Sequence, residues 1–547
     1  MAGNNESPTD RSPSPRADVC IVGAGVAGGL LAHSLSKRGY DVVLLEAGPR
    51  FDFDSRLERM ERALRPDSQA SVWDVGGERD AFSSTGPEDY NLNAKRVKGV
   101  GGTTLHWVGF TPRYHEKDFE MNSRYGLAAD WPIDYETLRP YYADAEERLG
   151  VAGADDNPFA PPREESRPLP AFPTGPVDSL YEEACSDLGI TLHSAPQARN
   201  SEAYDGRSKC VGYSTCHPVC PSGAKYSGDV HVRRAEEEGA RVIDRAPVRS
   251  LEHDDEGEAV TAAVYDAPEQ TGLRQEARTF VLAAGGVEIP RLLLLSASET
   301  YPDGLANSSG LVGKYFMEHP AVSVSGRIER PEGQEPLYWW PLESHQFYDH
   351  EDPRPGSIKL EFQQASEDSP LDALRGFDAD ARGDLLDPVE GDEPGVGGAH
   401  SGDMWRIRVN GLAEMLPRER NQIRLNRDKT DDRGNPVPDV ALDVGDYERE
   451  TMNRVIDIGT QILEAMGATD VRTTDPENPR YVAHHMGTTR MGEDSEASVV
   501  DPNLRTHDLR NLYVSSSSVF VTAGAMNPTL TIAALSLRLA EHLDDRL

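Results

Sequence analysis

The chain lacks any long apolar run and is poor in basic residues, and both deficits restrict what it can be. Hydrophobic residues make up 37% of its 547 residues, yet no stretch approaches the roughly 18 to 20 apolar residues that a membrane span requires. The formal net charge of -37, from 93 acidic against 56 basic residues, would repel nucleic acid and anionic lipid. We therefore expect a soluble protein, or one held at a membrane by something else, with no nucleic-acid partner.

Lysine is especially scarce. Nine of the 56 basic residues are lysine, and the remaining 47 are arginine. Abundant acidic residues with little lysine are typical of proteins kept soluble in concentrated salt, as in halophilic organisms, because screening weakens self-repulsion. An ordinary acidic cytosolic enzyme is the alternative.

The chain begins with a polar segment. Residues 1–16, MAGNNESPTDRSPSPR, are rich in proline and serine, so we predict that they are disordered. They contain no apolar core of a signal peptide. We expect a cytoplasmic protein, or one that is exported and membrane-associated through a partner that carries the address.

A strand, a helix and a second strand follow from residue 17 to residue 46, in ADVCIVGAG, VAGGLLAHSLSKRGY and DVVLLEAG. Gly23, Gly25 and Gly28 lie between the first strand and the helix, and Glu46 ends the second strand. The first two glycines let the backbone approach a pyrophosphate at the helix N-terminus, and the third permits close helix packing. Glu46 can accept hydrogen bonds from a ribose. The segment predicts a dinucleotide site that suits NAD or FAD.

The rest of the chain predicts two domains that are discontinuous in sequence. Strands alternate with helices over 17–315 and 477–547, which predicts an α/β domain of Rossmann type. Residues 316–476 instead alternate apolar and polar residues, which predicts a second domain built on an antiparallel sheet with a solvated or ligand-facing side. Within it, residues 365–402 are acidic and glycine-rich, and we expect a mobile loop there.

Several separated motifs resemble one flavoprotein family. They are VGGTTLHW at 100–107, VLAAGGVEIPRLLLLS at 281–296, HHMGTTRMG at 484–492, and NLYVSSSSVF and GAMNPTLTIAA between 511 and 534. In this order they resemble the glucose-methanol-choline (GMC) flavoprotein oxidoreductases over nearly the whole chain from residue 17. The resemblance implies that FAD is the cofactor, bound by the first domain in the GMC fold, and that the second domain binds the substrate.

Three of the five cysteines stand within eleven residues. Cys210, Cys216 and Cys220 lie in CVGYSTCHPVCPSGAK at 210–225. The stretch from Arg199 to Val232 resembles the catalytic subunits of membrane-associated, FAD-dependent glucose, gluconate, sorbitol and fructose dehydrogenases. This resemblance implies that the three thiolates hold a [3Fe-4S] cluster on the loop 205–226. Thiolates are the ordinary ligands of iron–sulfur clusters, so the ligand count agrees.

Other roles for cysteine stay open at this stage. A disulfide would pair only two of the three, and an odd total leaves a thiol over. A zinc ion could recruit His217 as a fourth ligand, although the spacing lacks the CxxC knuckle of common zinc sites. Simple burial suits the two cysteines outside the loop, Cys20 in a strand and Cys185 in a helix.

The GMC resemblance places two residues at the reacting face of the flavin, His484 of HHMGT and Asn527 of NPTLT. Hydride transfer from an alcohol carbon to flavin N5 also requires loss of the hydroxyl proton, and an imidazole suits that step. His484 is the expected base, and Asn527 is expected to orient the substrate hydroxyl. The alternatives are that His485 is the base and that both histidines are structural. Adjacent residues of an extended chain point to opposite faces, so only one of the pair should face the flavin.

Further FAD contacts follow from the same resemblance. His106 of TTLHW lies where some relatives join a histidine covalently to the flavin, and both that bond and simple packing beside the ring stay open. Ser516 stands where many members have an aspartate on the ribityl chain, so that contact does not carry over. The other residues expected to contact FAD are Gly101, Gly102, Thr103, Thr104, Val248, Pro528 and Thr529.

These expectations define a function. We predict an FAD-dependent dehydrogenase that oxidises a CH–OH group of a sugar, sugar acid or polyol and passes electrons through the [3Fe-4S] cluster to a redox protein or quinone. Because a two-electron donor feeds a one-electron cluster, a dehydrogenase is favoured over an oxidase. A small accessory subunit is expected as a partner, which would also explain the missing signal peptide.

Three alternatives remain. A flavin-only oxidase of the pyranose oxidase type would leave the cysteines structural or zinc-binding. A redox-silent flavin-binding protein is disfavoured by the presence of His484 and Asn527. An NAD-dependent enzyme built on the first motif would make no use of the segment 101–107 or of the C-terminal tail.

Overall fold

The computed structural model describes residues 11–63, 72–213, 215–329, 340–366 and 404–547. In chain order the strands are β1 Ala17–Val22, β2 Val42–Leu45, β3 Ser83–Ser84, β4 His193–Ser194, β5 Arg241–Ile243, β6 Val248–His253, β7 Val260–Ala267, β8 Gln270–Leu282, β9 Pro320–Glu329, β10 Leu342–Ser344, β11 Ile358–Ser366, β12 Met404–Ala413, β13 Gln422–Thr430, β14 Pro436–Ala441, β15 Thr469–Thr473, β16 Arg480–Tyr481 and β17 Leu512–Val514. The helices are α1 Val26–Ser36, α2 Arg56–Ala63, α3 Glu116–Phe119, α4 Met121–Tyr125, α5 Tyr135–Leu149, α6 Pro176–Asp187, α7 Asp229–Glu237, α8 Gly285–Leu295, α9 Asp446–Ala465 and α10 Thr529–Asp544.

A parallel sheet forms the centre of the first domain. Its strands run in the order β5, β2, β1 and β8, and β17 pairs with β8. Helices α1, α7 and α10 pack against one another beside it. Because such a sheet is covered by helices, its strands are near-continuous apolar runs, as in VVLL of β2. The strand order is that of a dinucleotide-binding fold, which confirms the predicted α/β class.

An antiparallel sheet forms the second domain, in the order β15, β9, β12, β11, β10 and β4, with β16 also paired to β9. Val324, Val409 and Phe362 stand opposite one another on neighbouring strands, and this apolar face packs against α9. The antiparallel sheet predicted for the second domain is confirmed, and the bounds 316–476 stay a prediction. The sheet also includes β4 and β16, which lie outside those bounds in the sequence.

The other face of this sheet is polar. Glu343, Glu361 and Asn410 stand opposite one another on β10, β11 and β12. Side chains of a strand alternate between its two faces, so the alternation in SIKLEFQQ places Lys359 on the same polar face. This face is turned toward the first domain and supplies one wall of the cavity described below.

One predicted strand belongs elsewhere. The run NQIRLNRD, expected in the large antiparallel sheet, forms β13 of a separate sheet in the order β13, β14 and β3. The Asp439 carboxylate of β14 accepts hydrogen bonds from Ser83 Oγ at 2.7 Å and Thr85 Oγ1 at 2.6 Å. These contacts to a distant part of the chain are not visible in the local pattern.

Two predicted segments meet the limits of the described residues. Residues 367–402 of the acidic loop and residues 1–10 of the N-terminus lie outside them. Residues 11–16 are packed on the first domain, contrary to the predicted disorder, because Arg11 is 8% exposed and pairs with the Asp244 carboxylate at 3.0 Å. Within the described ranges, no helix has the length and apolar character that crossing a bilayer demands.

Candidate functional site

A cavity of about 440 Å³ is lined by residues of both domains. Of the residues predicted to bind FAD or to act on substrate, those lining it are Gly23, Gly25, Glu46, Gly102, Thr103, Thr104, His106, Val248, His484, Asn527, Pro528 and Thr529. Gly28, Gly101 and the three clustered cysteines do not line it. Groups spread over some 500 positions of sequence therefore converge on one space.

The turn between β1 and α1 forms one end of the cavity. Gly23 has φ of +107°, and a Cβ there would lie 2.7 Å from the carbonyl oxygen of Ala283, so only glycine fits. A Cβ on Gly28 would lie 2.0 Å from the carbonyl oxygen of Gly23, which explains the close packing of α1 on the turn. Gly25, at the N-terminus of α1, borders the cavity, where the helix dipole suits a pyrophosphate.

Glu46 stands just beyond β2 and is 6% exposed. Its carboxylate accepts hydrogen bonds from the backbone amides of Ala24 at 2.8 Å and Gly48 at 2.9 Å. Burial raises the pKa of Glu46, and these two hydrogen bonds oppose that shift. A carboxylate has more lone pairs than two donors use, so Glu46 can still accept ribose hydroxyls.

A second glycine turn meets the first. Gly102 has φ of +58°, and a Cβ there would lie 2.9 Å from Gly25 Cα. Gly101 donates its backbone N–H to the carbonyl of Ala24 at 2.8 Å, while Thr104 Oγ1 donates to Gly101 O at 2.5 Å and accepts from Gly228 N at 2.8 Å. The two glycine turns, Gly23–Gly25 and Gly101–Gly102, stand beside the buried Glu46. Together they form a cradle that fits the diphosphate and ribose of FAD.

His484 and Asn527 lie side by side in the cavity wall, with His484 Nε2 at 3.4 Å from Asn527 Nδ2. His484 Nδ1 lies 2.8 Å from His319 Nδ1, and His319 Nε2 lies 3.2 Å from the carbonyl oxygen of Ala523. The carbonyl can only accept, so His319 carries its proton on Nε2 and accepts at Nδ1. His484 therefore donates from Nδ1, and its Nε2 is the unprotonated nitrogen.

Burial keeps both imidazoles neutral. It lowers the pKa of His319 to about 4. The pKa of His484 is held well below its ordinary value of 6.5, first by burial and then by the neighbouring His319, Lys359 and His485. At neutral pH, His484 Nε2 is consequently a proton acceptor.

Asn527 is oriented by a buried cation. Lys359 is fully buried, and its Nζ donates to Asn527 Oδ1 at 2.6 Å. The amide NH₂ of Asn527 must then face His484. Lys359 is balanced by Glu361 at 2.7 Å and lies 4.6 Å from the ring centroid of Phe110.

His485 is engaged on another side. Its Nε2 lies 2.8 Å from Tyr90 Oη, which itself donates to Glu318 Oε2 at 2.6 Å. The other oxygen of Glu318 accepts from the backbone amide of His484 at 2.6 Å. The two adjacent histidines thus have different partners, as the extended backbone requires, and His484 is the one hydrogen-bonded toward Asn527.

Sequence reasoning missed Glu318, His319 and Lys359. The available signals were weak: Glu318 and His319 are adjacent polar residues just before an apolar strand, and Lys359 is one of nine lysines, set in the alternating run SIKLEF. An alternation of apolar and polar residues of this kind is common on antiparallel sheets and does not by itself name a role.

The cysteine loop, residues 205–226, lies directly against the flavin turn, which is the segment Gly102–Leu105 just before His106. All five cysteines are free thiols, so no disulfide forms. Lys225 is buried, and its Nζ donates to the carbonyls of Leu105 at 3.0 Å, Trp107 at 2.6 Å and Cys216 at 2.7 Å. One ammonium group therefore ties the loop of Cys216 to the segment around His106.

Cations surround the thiols. Arg199 Nη1 donates to Cys216 Sγ at 3.4 Å. Burial opposes ionisation of Cys220, but the Lys225 amide and ammonium bring the pKa of that thiol below its ordinary value. Burial raises the pKa of Cys210, with Arg199 acting against the rise. Free thiols beside fixed positive charge fit the thiolates of an anionic iron–sulfur cluster.

His106 is buried and lines the cavity just after the 3₁₀ turn Gly102–Leu105. Its carbonyl oxygen accepts from His217 Nδ1 at 2.6 Å, and the two rings lie 5.1 Å apart. His217, named above as a possible zinc ligand, joins the cysteine loop to the flavin turn through this hydrogen bond. Covalent attachment at His106 remains a prediction.

A Rossmann domain and a sheet domain that share a dinucleotide cavity define a two-domain oxidoreductase. Residues 83–321 and 417–536 match the GMC oxidoreductase family, and residues 18–55 match FAD-dependent oxidoreductases. The fructose dehydrogenase large subunit of Gluconobacter japonicus is 36% identical, over 96% of this chain and 97% of that one. The 2-methyl-1,2-propanediol dehydrogenase of Mycolicibacterium austroafricanum is 31% identical, over 97% and 96%. The chain belongs to the GMC oxidoreductase family, and its cofactor is FAD.

Solved structures agree on the fold. A pyridoxine 4-oxidase from Mesorbium loti superposes with a TM-score of 0.65 at 19% identity, covering 97% of this chain and all of that one. A formate oxidase from Aspergillus oryzae superposes with a TM-score of 0.67 at 16% identity, covering 98% and 99%. At these identities the likeness concerns the fold, and it confirms the predicted GMC architecture.

Proposed function

We propose that the protein is an FAD-dependent dehydrogenase that oxidises a CH–OH group of a sugar, a sugar acid or a polyol. The names of two relatives, a fructose dehydrogenase large subunit and a propanediol dehydrogenase, support this class of substrate. The observation that carries the proposal is the hydrogen-bonded chain from Ala523 through His319 and His484 to Asn527. This chain leaves an unprotonated imidazole nitrogen at the cavity.

His484 Nε2 takes the hydroxyl proton of the substrate. When bound, FAD would supply the acceptor for the hydride that leaves the carbon bearing this hydroxyl. His319 accepts the hydrogen bond from His484 Nδ1 and so stabilises the imidazolium that forms. Asn527 directs its NH₂ toward the substrate oxygen, because Lys359 holds the opposite end of the amide. Proton removal by a positioned side chain contributes typically about 10² to 10⁴ in rate.

The sheet wall of the cavity favours a substrate with several hydroxyl groups. Glu361 stands opposite Asn410, and Gln363 stands opposite Arg408, and all four side chains line the cavity. Carboxylate, amide and guanidinium groups in one row offer both donors and acceptors. Phe110 and Trp340 add stacked rings with centroids 6.3 Å apart. Flat aromatic faces suit the C–H side of a sugar ring.

We further propose that Cys210, Cys216 and Cys220 hold a [3Fe-4S] cluster that takes electrons from the flavin one at a time. The tie through Lys225 keeps the loop next to the flavin turn, which supports a short electron path. Among the described residues, the three sulfurs do not gather within 4.8 Å of one another. That spacing disfavours a single zinc ion, whereas a cuboidal cluster holds its thiolates further apart.

A redox protein with an accessory subunit, or a quinone, is the proposed acceptor. Val211 and Tyr213 are exposed at 65% and 43% beside Cys210. Exposed apolar side chains next to an electron exit favour contact with a partner. The relatives named as a large subunit and as a flavoprotein support a multi-subunit assembly.

Electron paramagnetic resonance on anaerobically purified protein tests the proposal, with iron and FAD quantified on the same sample. We expect about three irons per FAD and the paramagnetic signal of an oxidised three-iron cluster. Cys216→Ser should abolish the signal and keep the FAD. Cys185→Ser, which changes a buried thiol of α6 away from the loop, is the matched control and should keep both.

The oxidase alternative has its own readout. Under air and with an added one-electron acceptor such as ferricyanide, oxidation of a sugar substrate should reduce that acceptor without forming stoichiometric hydrogen peroxide, because the electrons leave through the cluster. Yellow protein that contains no iron and makes one peroxide per substrate would replace the proposal with a flavin-only oxidase.

A further inference from the structure

Three buried side chains of metal-ligand type gather outside the FAD cavity. Donor atoms of His193, Glu343 and His345 all lie within 4.8 Å of one another. The three residues are 2%, 0% and 4% exposed, and none of them lines the cavity. They play no part in the proposed oxidation.

Sheet register explains why these residues meet. His193 of β4 stands directly opposite Glu343 of β10. His345 follows Glu343 by two residues, so in extended chain both side chains leave the same face. The cluster therefore continues the polar face of the sheet toward its β4 edge.

Two acceptor atoms in the cluster are unsatisfied. His193 Nδ1 lies 3.2 Å from the carbonyl oxygen of Ser194, so it carries the proton, and the lone pair of Nε2 has no hydrogen-bond partner among the described residues. Glu343 Oε2 likewise has none, although its other oxygen bonds His345 Nε2 at 2.9 Å. Buried acceptors are normally paired, so acceptors that converge without a donor point to a cation.

The charges of two side-chain cations, Lys359 and Arg167, act on Glu343, and each cation also pairs with another acidic residue. Lys359 Nζ is 3.7 Å from Glu343, too far for a hydrogen bond, and 2.7 Å from Glu361. Arg167 pairs with Asp155 at 3.5 Å.

The cluster contains two imidazoles, those of His193 and His345. A third imidazole stands next to them, since the ring of His115 lies 5.6 Å from that of His345 and its Nε2 is also unpaired among the described residues.

We propose that His193, Glu343 and His345 form a binding site for one divalent transition-metal ion, with Zn²⁺ as the best match. Two imidazoles and one carboxylate are an established zinc ligand set, and the same set with open positions also binds Fe²⁺. His115 is the nearest further donor for a fourth position. The site stands independently of the proposed function, because it uses neither FAD nor the clustered cysteines.

Metal binding must move one proton. Asn157 Nδ2 donates to His345 Nδ1 at 3.0 Å, so His345 now carries its proton on Nε2 and gives it to Glu343. A metal at Nε2 shifts that proton to Nδ1, where Asn157 presents its NH₂ group, a donor, and no acceptor. Its oxygen is held by the backbone amide of Phe159 at 2.9 Å. In Asn157→Asp, one carboxylate oxygen would accept from His345 Nδ1 and the other from the backbone amide of Phe159.

A zinc titration of the full-length holoenzyme tests the site. Calorimetry measures the affinity, and elemental analysis measures the zinc bound per chain. We expect one Zn²⁺ per chain that Cys216→Ser does not remove. Glu343→Gln and His193→Gln should each weaken binding at least tenfold, and Asn157→Asp should tighten it by about tenfold. Retained FAD absorbance shows that each variant is folded.

Co²⁺ provides a second readout, because thiolate ligands add a near-ultraviolet charge-transfer band that imidazole and carboxylate ligands do not. The expected spectrum has d–d bands without the thiolate band. The proposal fails if the holoenzyme binds no Zn²⁺, if Cys216→Ser abolishes binding, or if Asn157→Asp leaves the affinity unchanged. The zinc affinity of Asn157→Asp tests the proposal even if the Glu343 and His193 variants do not fold.

Discussion

His484 owes its protonation state to its surroundings. Burial lowers its pKa most, and the neighbouring His319 and Lys359 lower it further. The hydrogen bond to His319 then fixes which nitrogen is unprotonated. A histidine in solution titrates near 6.5 and would be partly charged in mild acid, so these neighbours extend the pH range in which the base is active.

This environment predicts the pH profile of flavin reduction. If the neutral imidazole of His484 is the base, as proposed, the rate of anaerobic bleaching by substrate should stay level from pH 8 to below the ordinary histidine pKa of 6.5 and fall only in stronger acid. Lys359→Met removes a cation that lowers the His484 pKa, so the acid limb should move to higher pH. Stopped-flow absorbance measures both.

The neighbouring histidine supplies the control. His484→Gln should slow bleaching by about 10² to 10⁴. His485→Gln changes a side chain bonded to Tyr90 and should cost less, with the pH profile kept. Equal losses in the two variants, or an acid limb at 6.5 in the unaltered protein, would refute the assignment of the base.

Gly102 offers a test of the FAD cradle. A Cβ there would lie 2.9 Å from Gly25 Cα, so Gly102→Ala should push the two turns apart and lower the FAD bound per chain. Gly126 has a similar φ, +66° against +58°, but open space around its Cβ position. Gly126→Ala bears the same backbone strain of about 1 kcal/mol without the collision. Comparable FAD loss in both variants would show that strain, and not the cradle, is the cause.

Among the elements, the cysteine loop is connected to the flavin turn mainly through one buried ammonium group. Lys225 satisfies three carbonyls, and burial lowers its pKa to about 8 while the nearby thiols oppose that shift. Without the lysine, three buried acceptors lose a charged donor, at a cost of about 1 to 3 kcal/mol for each unsatisfied group. The remaining tie from the loop to the flavin turn would be the hydrogen bond of His217 to the carbonyl oxygen of His106.

Lys225→Met is therefore expected to lower the ratio of iron to FAD and to reduce the melting temperature. Iron and FAD assays on the same preparation measure the ratio, and calorimetry measures the melting temperature. Lys209→Met is the matched control, because Lys209 is exposed and lies next to Cys210. An unchanged iron content in Lys225→Met would mean that the cysteine loop does not depend on the three hydrogen bonds of Lys225.

Elements with a local signal could be predicted from the sequence. The strands and the helix around the first glycine turn lie where they were predicted, although the helix ends at Ser36 and not at residue 40, and SIKLEFQQ forms most of β11. The assignment of β13 to a separate sheet depends on Asp439 and on two hydroxyls near residue 84, which lie far apart in sequence. The two-residue strand β4 has no periodicity to detect, yet it carries His193.

The candidate site divides in the same way. His484 and Asn527 belong to recognisable motifs, and the structure brings them together. Glu318, His319 and Lys359 act through contacts that form only when the second sheet packs on the first domain. A motif can predict the group that meets the substrate, but the groups that hold it in place depend on tertiary contacts.

At the scale of the whole molecule, charge is the dominant unexplained feature. The net charge of -37 must be borne by the folded surface, where like charges repel. Exposed ion pairs such as Arg274 with Glu252 and Arg354 with Glu450 offset part of it. Each such pair contributes only about 0.2 to 1 kcal/mol, and salt weakens it. Added salt thus weakens both the exposed ion pairs, which stabilise the fold, and the repulsion of the net charge, which destabilises it.

The excess of acidic residues decides which effect is larger. Since 93 acidic residues face 56 basic ones, repulsion remains after every basic residue is paired. Raising KCl from 0.1 to 1 M shortens the screening length from about 10 Å to about 3 Å, which suppresses this repulsion. We expect the melting temperature to rise by several degrees over this range, as measured by calorimetry at fixed pH. Sucrose, which strengthens burial without screening charge, serves as the comparison. A melting temperature that falls with KCl would mean that the ion pairs outweigh the net charge, and the composition would then describe an ordinary acidic enzyme.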